Sequence, residues 1–468
     1  FIGKAWKIKK ADIAVVFGKY YQEGIEPEKD DPVNDLFVAY CARCKQNNSF
    51  TCGSLLTGLK LLLPQIHQYL QWKHIVLDEA HDTDRLQWEI LMALREYCQA
   101  SLFVVADLDQ AIYQWRGACP EYLVDHQAEF EIYRLESNYR SVPSIVEASN
   151  RLISHNVDRI TKTMVATRDV PGESVTIWKD ADSERVAEIA GSIWNNLGQP
   201  PMAILGRNHF LLEKLSRILD EQKAPYEYIG RTTALTNSEP FRRYHAFLKL
   251  AINPYDNFSF LLIKDIVGLS REFYSWIRIS AAEKGKSHYE IFLEKYPRQL
   301  ESVCLSDLCG TIEEKYPELS PHASAFIQKW LENHPDSVEE YLNFLALYEV
   351  QDEIKKETAG ISLMTIHAAK GLEWPVVILA GCNEGIIPSK QSVNANDVEA
   401  ERRLFYVAMT RTRDQLIMTV RPETVEKDGR IFESPQSRFI AEAKEDELSI
   451  LNKDADCHNK KWQERIRN

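Results

Sequence analysis

Two adjacent carboxylates, Asp78 and Glu79, follow the apolar run Ile75, Val76 and Leu77 in the stretch KHIVLDEAHDTD. A strand of that kind delivers charge to the edge of a sheet. There one carboxylate can hold magnesium, directly or through water, while its neighbour polarises the water that attacks a γ-phosphate. Acidic residues after a strand also serve as solvated loops or helix caps, so the pair needs company. It comes in LFVVADLDQAIYQWRGA, where Asp107, Asp109 and Gln110 follow a second apolar run and Tyr113, Trp115 and Arg116 come next. Gln110 is placed to sense a terminal phosphate. The aromatics with Arg116 offer stacking and charge to single-stranded nucleic acid, against the plainer reading of a core aromatic stripe.

LESNYRS follows from Leu135, then LMTIHAAKGLEWPVVILAGCNEGIIPS from Leu363 and EAERRLFYVAMTRTRDQL from Glu399. These five segments, ordered between Lys73 and Leu416, resemble motifs II to VI of superfamily 1 DNA helicases of the UvrD, Rep and PcrA type. The resemblance implies ATP and Mg2+ as cofactors, single-stranded DNA and single-to-double-stranded junctions as partners, and 3′ to 5′ movement. It also implies residue roles. Asp78 resembles the magnesium ligand and Glu79 the catalytic carboxylate, with Gln110 coupling nucleotide state to DNA. Tyr139 is similar to the residue that stacks on the ATP base, and Glu373 to the ribose-side acid. Arg140 and Arg411 resemble the two γ-phosphate arginines, whose charge stabilises a transferring phosphoryl group. Tyr113, Trp115, Arg116, Thr365 and His367 are the expected DNA contacts, His367 by its place in TIHAAKGLEW.

A phosphate loop reads G-x-x-x-x-G-K-[ST], and no stretch of this sequence does. GKA at Gly3 lacks the hydroxyl residue. Gly285-Lys286-Ser287 has Ser280 at the earlier glycine position and a helical setting. Motif Ia and the amino-terminal adenine-recognition residues are absent too. The expectation is a P-loop NTPase fold whose first RecA-like domain is incomplete, in a chain that enters within the 1B insertion and hydrolyses no ATP by itself. A protein partner could supply the missing half. The rival reading is a non-hydrolysing DNA-binding or regulatory subunit. Two milder departures are His81, where the family more often has Gln, and a short 2B insertion.

The elements that must position these residues follow from periodicity. Apolar positions spaced by three and four predict helices over the first seventy residues. Then HIVLD, LFVVAD, EIYRLE, SVTIWKD, PMAILGR, ISLMTI and PVVILAG read as strands alternating with helices, the mark of an α/β parallel sheet. Between about residues 240 and 358 the pattern turns helical and charged, an insertion within an α/β domain. The expected organisation is 1–70 as a 1B-like remnant, 71–135 as the rest of RecA-like domain 1A, and 136–240 as the first part of domain 2A. A 2B-like insertion at 241–358, the rest of 2A at 359–425 and a tail at 426–468 complete it.

Composition narrows the class. The chain has 468 residues, 69 Asp plus Glu against 56 Lys plus Arg, so its surface is not basic overall. A basic groove within an acidic protein remains compatible with nucleic acid. No apolar run is long enough to span a membrane. Nine cysteines without a regular framework fit a reduced, cytoplasmic protein. Cys41 and Cys44, with Cys52 after them, offer three thiols without a fourth ligand, and their three-residue spacing favours buried thiols on one helix face over a metal site.

Overall fold

The computed structural model describes residues 17, 20, 32–46, 50–169, 174–196, 198–229, 238–296, 304–347, 360–422, 424–425, 431–432, 435–443 and 449–451. The chain forms two compact units, one of residues 63–230 and 354–468, the other of residues 1–62 and 231–353.

The first unit is α/β. Its main sheet has seven strands in the order β11-β5-β10-β9-β6-β8-β7, with β5 Val175–Trp178, β6 Met202–Gly206, β7 Tyr226–Tyr228, β8 Ile361–Thr365, β9 Trp374–Ala380, β10 Thr412–Thr419 and β11 Ser449–Leu451. Every pairing in it is parallel. The central strands β6 and β9 are apolar along nearly their whole length because helices cover both faces of a parallel sheet. Helix His209–Glu221 turns Leu211, Leu212, Leu215 and Leu219 onto it, and Asn208 caps its start by accepting from the Leu211 N–H at 3.0 Å. At Gly206 an added Cβ would lie 2.8 Å from Leu212 Cδ2, so a side chain there would require Leu212 to move.

In the same unit β1 His74–Leu77 and β2 Ser101–Val104 make a separate parallel pair. One face packs on helix Arg85–Cys98, around the fully buried Trp88 stacked on Tyr122. The other leaves Val76 and Phe103 well over half exposed. The strand expected at EIYRLE is absent. Residues 131–136 form no ladder and Tyr133 and Leu135 face solvent, because no described strand lies beside them. Pairing begins only at β3, Ser137–Asn138, with β4, Val165–Ala166.

The second unit is helical. Helices Pro32–Gln46 and most of Cys52–Ile66 belong to it, as do seven more from Glu239–Ile252 to Val338–Leu347. Its core gathers Phe241, Tyr244, Phe247, Phe260, Ile277, Ile291, Ile312 and Tyr341. Gly285, at φ +64, ends helix Arg271–Lys284, and Ser287 caps helix His288–Lys295 in a capping box with Glu290. Gly285-Lys286-Ser287 is therefore a helix–helix junction. Cys41 and Cys44 are half-buried rather than buried on their helix, and the side chain of Cys52 lies outside the described residues, as does Gly3. No described helix is long and apolar enough to cross a membrane.

Candidate active site

The carboxyl ends of β1 and β2, the loop after β3, the segment after β8 and the helix Val398–Met409 converge within the α/β unit. Asp78 and Glu79 stand directly after β1, and both are exposed. Asp78 Oδ1 accepts the Glu79 N–H at 2.9 Å. Glu79 has a left-handed backbone, φ 50 and ψ 37, a conformation uncommon outside glycine and enriched at functional sites. A short 3-10 turn and the cap of Asp84 on Gln87 then launch helix Arg85–Cys98, which fixes the approach of the pair.

Glu79 sits among donors. His81 Nε2 lies 3.2 Å from its Oε2 and Lys370 Nζ 3.3 Å. The hydrogen bond from His81, helped by its charge and by Lys370, holds the carboxyl down at about 2 against the opposing effect of burial. Lys370 is itself buried and reaches Asp82 Oδ2 at 2.5 Å. Glu79, His81 and Asp82 could in geometry ligate a cation, but the ammonium of Lys370 already lies against all three.

After β2, Asp107 Oδ2 accepts from Gln110 Nε2 at 2.7 Å and its Oδ1 meets Lys162 at 2.5 Å. Burial raises the Asp107 carboxyl, yet Lys162 and Gln110 more than offset it and the net direction is down. Asp109 is buried against Arg159 at 2.7 Å, and burial with the neighbouring Asp107 pushes it up. Gln110 Oε1 accepts from Arg411 Nη2 at 3.0 Å. Arg411 is only 2 % exposed, and burial, then the nearby charge of Arg140, lower it to about 10. Arg140 donates to the Thr410 carbonyl at 2.9 Å and to Glu373 Oε2 at 2.5 Å. Glu373 thus engages an arginine here. Tyr139 beside it is 78 % exposed, its ring uncovered.

A second cluster adjoins these charges, with Lys370 Nζ 5.2 Å from the centre of the Tyr113 ring. Tyr113 Oη donates to the His367 carbonyl at 3.4 Å, and the imidazole of His367 lies edge-on to Trp115 with centroids 6.1 Å apart. Arg116 sits over both Tyr113 and Trp115, at 5.5 and 5.9 Å. Trp115 is 72 % exposed, which rules out the core-stripe reading for that ring. Burial, then the charge of Arg207, lowers His367 to about 4 and keeps it neutral at pH 7. Thr365 ends β8 with its hydroxyl accepting the Ala368 N–H at 3.3 Å. All twelve residues singled out from sequence fall in this unit, in a charged group and an aromatic group.

Sequence reasoning passed over Lys370 and gave His81 no role. Lys370 stands inside HAAKGLEW and is buried, which a composition-based reading of lysine as a surface residue hides. Whether the residues fit a magnesium nucleotide is a matter of donor chemistry. Asp78 is an open carboxylate, Gln110 and two arginines lie beyond it, and an exposed ring flanks them, a set suited to a metal-bound polyphosphate with a base.

The family described as UvrD-like helicase C-terminal domain matches residues 133–285 and 298–423, and that described as UvrD/REP helicase N-terminal domain matches residues 5–131. The chain is 30% identical to ATP-dependent DNA helicase PcrA of Bacillus subtilis, over 94% of this chain and 67% of that protein. It is 26% identical to ATP-dependent DNA helicase Rep of Escherichia coli, over 90% and 71%, and 26% identical to Rep of Buchnera aphidicola, over 80% and 66%. The chain spans about two thirds of the length of such relatives. With more than half its residues matched and its motif side chains gathered in one unit, the chain belongs to the UvrD-like helicase family.

Proposed function

We propose that this chain carries the hydrolytic and DNA-gripping parts of an ATP-driven motor that moves along single-stranded DNA, from 3′ toward 5′, and into junctions with duplex. The observation that carries the reading is the buried Arg411, bonded to Gln110 and within electrostatic reach of Arg140 and Glu79. Magnesium held by Asp78 would supply positive charge at the phosphate oxygens. Glu79, held ionised, orients the attacking water and takes its proton. Arg140 and Arg411 stabilise the charge that spreads over the transferring group, an effect of about a thousandfold or more for such arginines. For Glu373 to serve a ribose it must release Arg140, which frees that arginine for phosphate. Tyr139 offers its ring to the base. Beside these groups Trp115, Tyr113 and His367 give a stacking platform indifferent to base identity, as stepping along any sequence requires. A cytoplasmic setting agrees with the absence of disulfides among the described cysteines.

The test is ATP hydrolysis with and without single-stranded DNA, by the chain and by Glu79→Gln. DNA-stimulated turnover that falls by roughly 10²–10⁴ in Glu79→Gln supports the reading, since that is the usual scale for losing a general base. Turnover unchanged in that variant sinks it. A second reading is a DNA-binding or regulatory subunit completed by another polypeptide. Val76 and Phe103 leave one face of the β1–β2 pair exposed, where parallel sheets ordinarily have both faces covered. Single-stranded DNA binding without turnover, until a polypeptide bearing the phosphate loop is added, would establish it.

A further inference from the structure

Gln114 stands in the aromatic cluster, between Tyr113 and Trp115, and both ends of its amide are engaged. Its Nε2 donates to Glu121 Oε1 at 2.6 Å, and its Oε1 accepts from Arg403 Nη2 at 2.7 Å. An ionised carboxylate only accepts and a guanidinium only donates, so the amide has a single orientation that serves both. Arg403 is 6 % exposed, and its Nε has no hydrogen-bond partner among the described residues. Glu399 Oε2 lies 3.9 Å from its Nη1, while the other oxygen of Glu399 accepts the Val157 N–H at 2.8 Å. Burying a guanidinium for one short bond to a neutral amide adds little or no net stability. What the bond does fix is position.

Gln114 opens the 3-10 turn Gln114–Arg116, whose Trp115 ring stands in solvent beside Tyr113. Arg403 belongs to the helix Val398–Met409, which is buried from Glu401 to Met409. Arg411 follows two residues after that helix and is tied back to it, its Nε donating to the Val407 carbonyl at 3.0 Å. The helix and its carboxyl end therefore hold the segment after β2 at both of its ends. Arg411 grips Gln110 among the charged groups, and Arg403 grips Gln114 within the stacking platform.

We propose that Arg403 is a positioning residue for single-stranded DNA: through Gln114 it fixes the Tyr113 and Trp115 rings relative to the helix that leads to Arg411. The ring offered to a base and the arginine offered to a phosphate are thereby set by one rigid element. This rests on the DNA-motor reading above. Arg403 touches neither DNA nor nucleotide in this role. It acts through Gln114, and Met in place of either residue keeps an unbranched side chain while removing the bond.

The experiment is equilibrium binding of a fluorescently labelled oligothymidylate at fixed salt, read by anisotropy without nucleotide and without turnover. It compares wild type, Arg403→Met, Gln114→Met, Trp115→Ala and each Met variant combined with Trp115→Ala. Arg403→Met and Gln114→Met are each expected to weaken binding by roughly three- to tenfold, toward the lower end of what a lost stacking ring costs. In either Met background Trp115→Ala should then cost far less than in wild type, because residues that act on one contact are not additive. A merely structural role for Arg403 leaves the two effects additive. Additive effects, or Met variants that bind as tightly as wild type, overturn the proposal, while binding by wild type that Trp115→Ala weakens leaves the motor reading standing. Absence of binding by wild type sinks both. If the melting temperature shows that Arg403→Met does not fold, Gln114→Met tests the same bond from its partly exposed side.

Discussion

The helical unit and the α/β unit bury polar groups by opposite means. In the helical unit His245 bridges the Phe241 carbonyl at 2.7 Å and the Tyr341 hydroxyl at 2.6 Å, and Ser287 donates to the Pro254 carbonyl at 2.7 Å. These are mainly neutral bonds inside an apolar core. The α/β unit buries Arg411, Lys370, Arg402 and Glu401, tied into ionic networks such as Arg402 with Glu442 at 2.6 Å and Arg207 with Glu401 at 2.7 Å. Desolvating charge is costly and often adds no net stability. On the proposed function the difference has a reason: the helical unit closes around an apolar core, while the α/β unit holds buried charges that a charged ligand would need kept in place.

The sharpest way to break this comparison is to remove core from the helical unit alone. Phe260 is fully buried among Tyr274, Tyr289 and Phe292. Phe260→Ala should cost about 3–5 kcal/mol through lost burial and the cavity left behind. Hydrogen exchange is expected to show protection lost across residues 239–347 and kept across the strands of residues 361–419. Equal loss in both would show that the two units do not differ in the way their cores imply. A smaller effect sharpens the other half. Trp115→Ala should weaken single-stranded DNA binding by about 1–3 kcal/mol at fixed salt, the scale of one stacked base. The melting temperature should not move, because the ring is already in solvent. Unchanged affinity would remove Trp115 from the platform.

The sequence exposed these roles unevenly. Alternation of short apolar runs with helical patterns showed the parallel sheet because buried strands are apolar on both faces, as in MAILG and WPVVILA. EIYRLE has the same local appearance and forms no strand, since a ladder requires a partner that periodicity cannot report. Asp78, Glu79, Gln110 and Arg411 could be picked out because the segments that carry them follow one another in the order of the UvrD-like motifs, although acidic residues after a strand are by themselves common. The bonds that organise them could not. Gln110 reaches Arg411 across 301 positions and Lys370 reaches His81 across 289, and no local pattern links residues so far apart. The ion pair of Glu373 with Arg140 is likewise a matter of three-dimensional placement.

The least disruptive probe of the comparison is pH. Burial, more than the charge of Lys249, lowers His245 to about 4, and burial, then Arg278, lowers His288 to about 4. Both are neutral in the folded helical unit at pH 7 and cost nothing there. As pH falls through about 6.5 the unfolded chain takes up protons that the folded unit refuses until about 4, so stability falls with pH across that window. In the α/β unit His367 acts in the same window, while Glu79 runs differently. Its lowered carboxyl contributes stability above about 4.5 that is lost only as pH falls from there toward about 2. The urea midpoint of the helical unit, followed by exchange of residues 239–347, should therefore drop between pH 6.5 and 4.5 more steeply than that of the α/β strands. His245→Gln keeps an acceptor for Tyr341 without a titrating ring and should flatten the helical slope by about one proton. A slope unaffected by that change would place the acid sensitivity elsewhere, and with it the claim that neutral histidines hold the helical core.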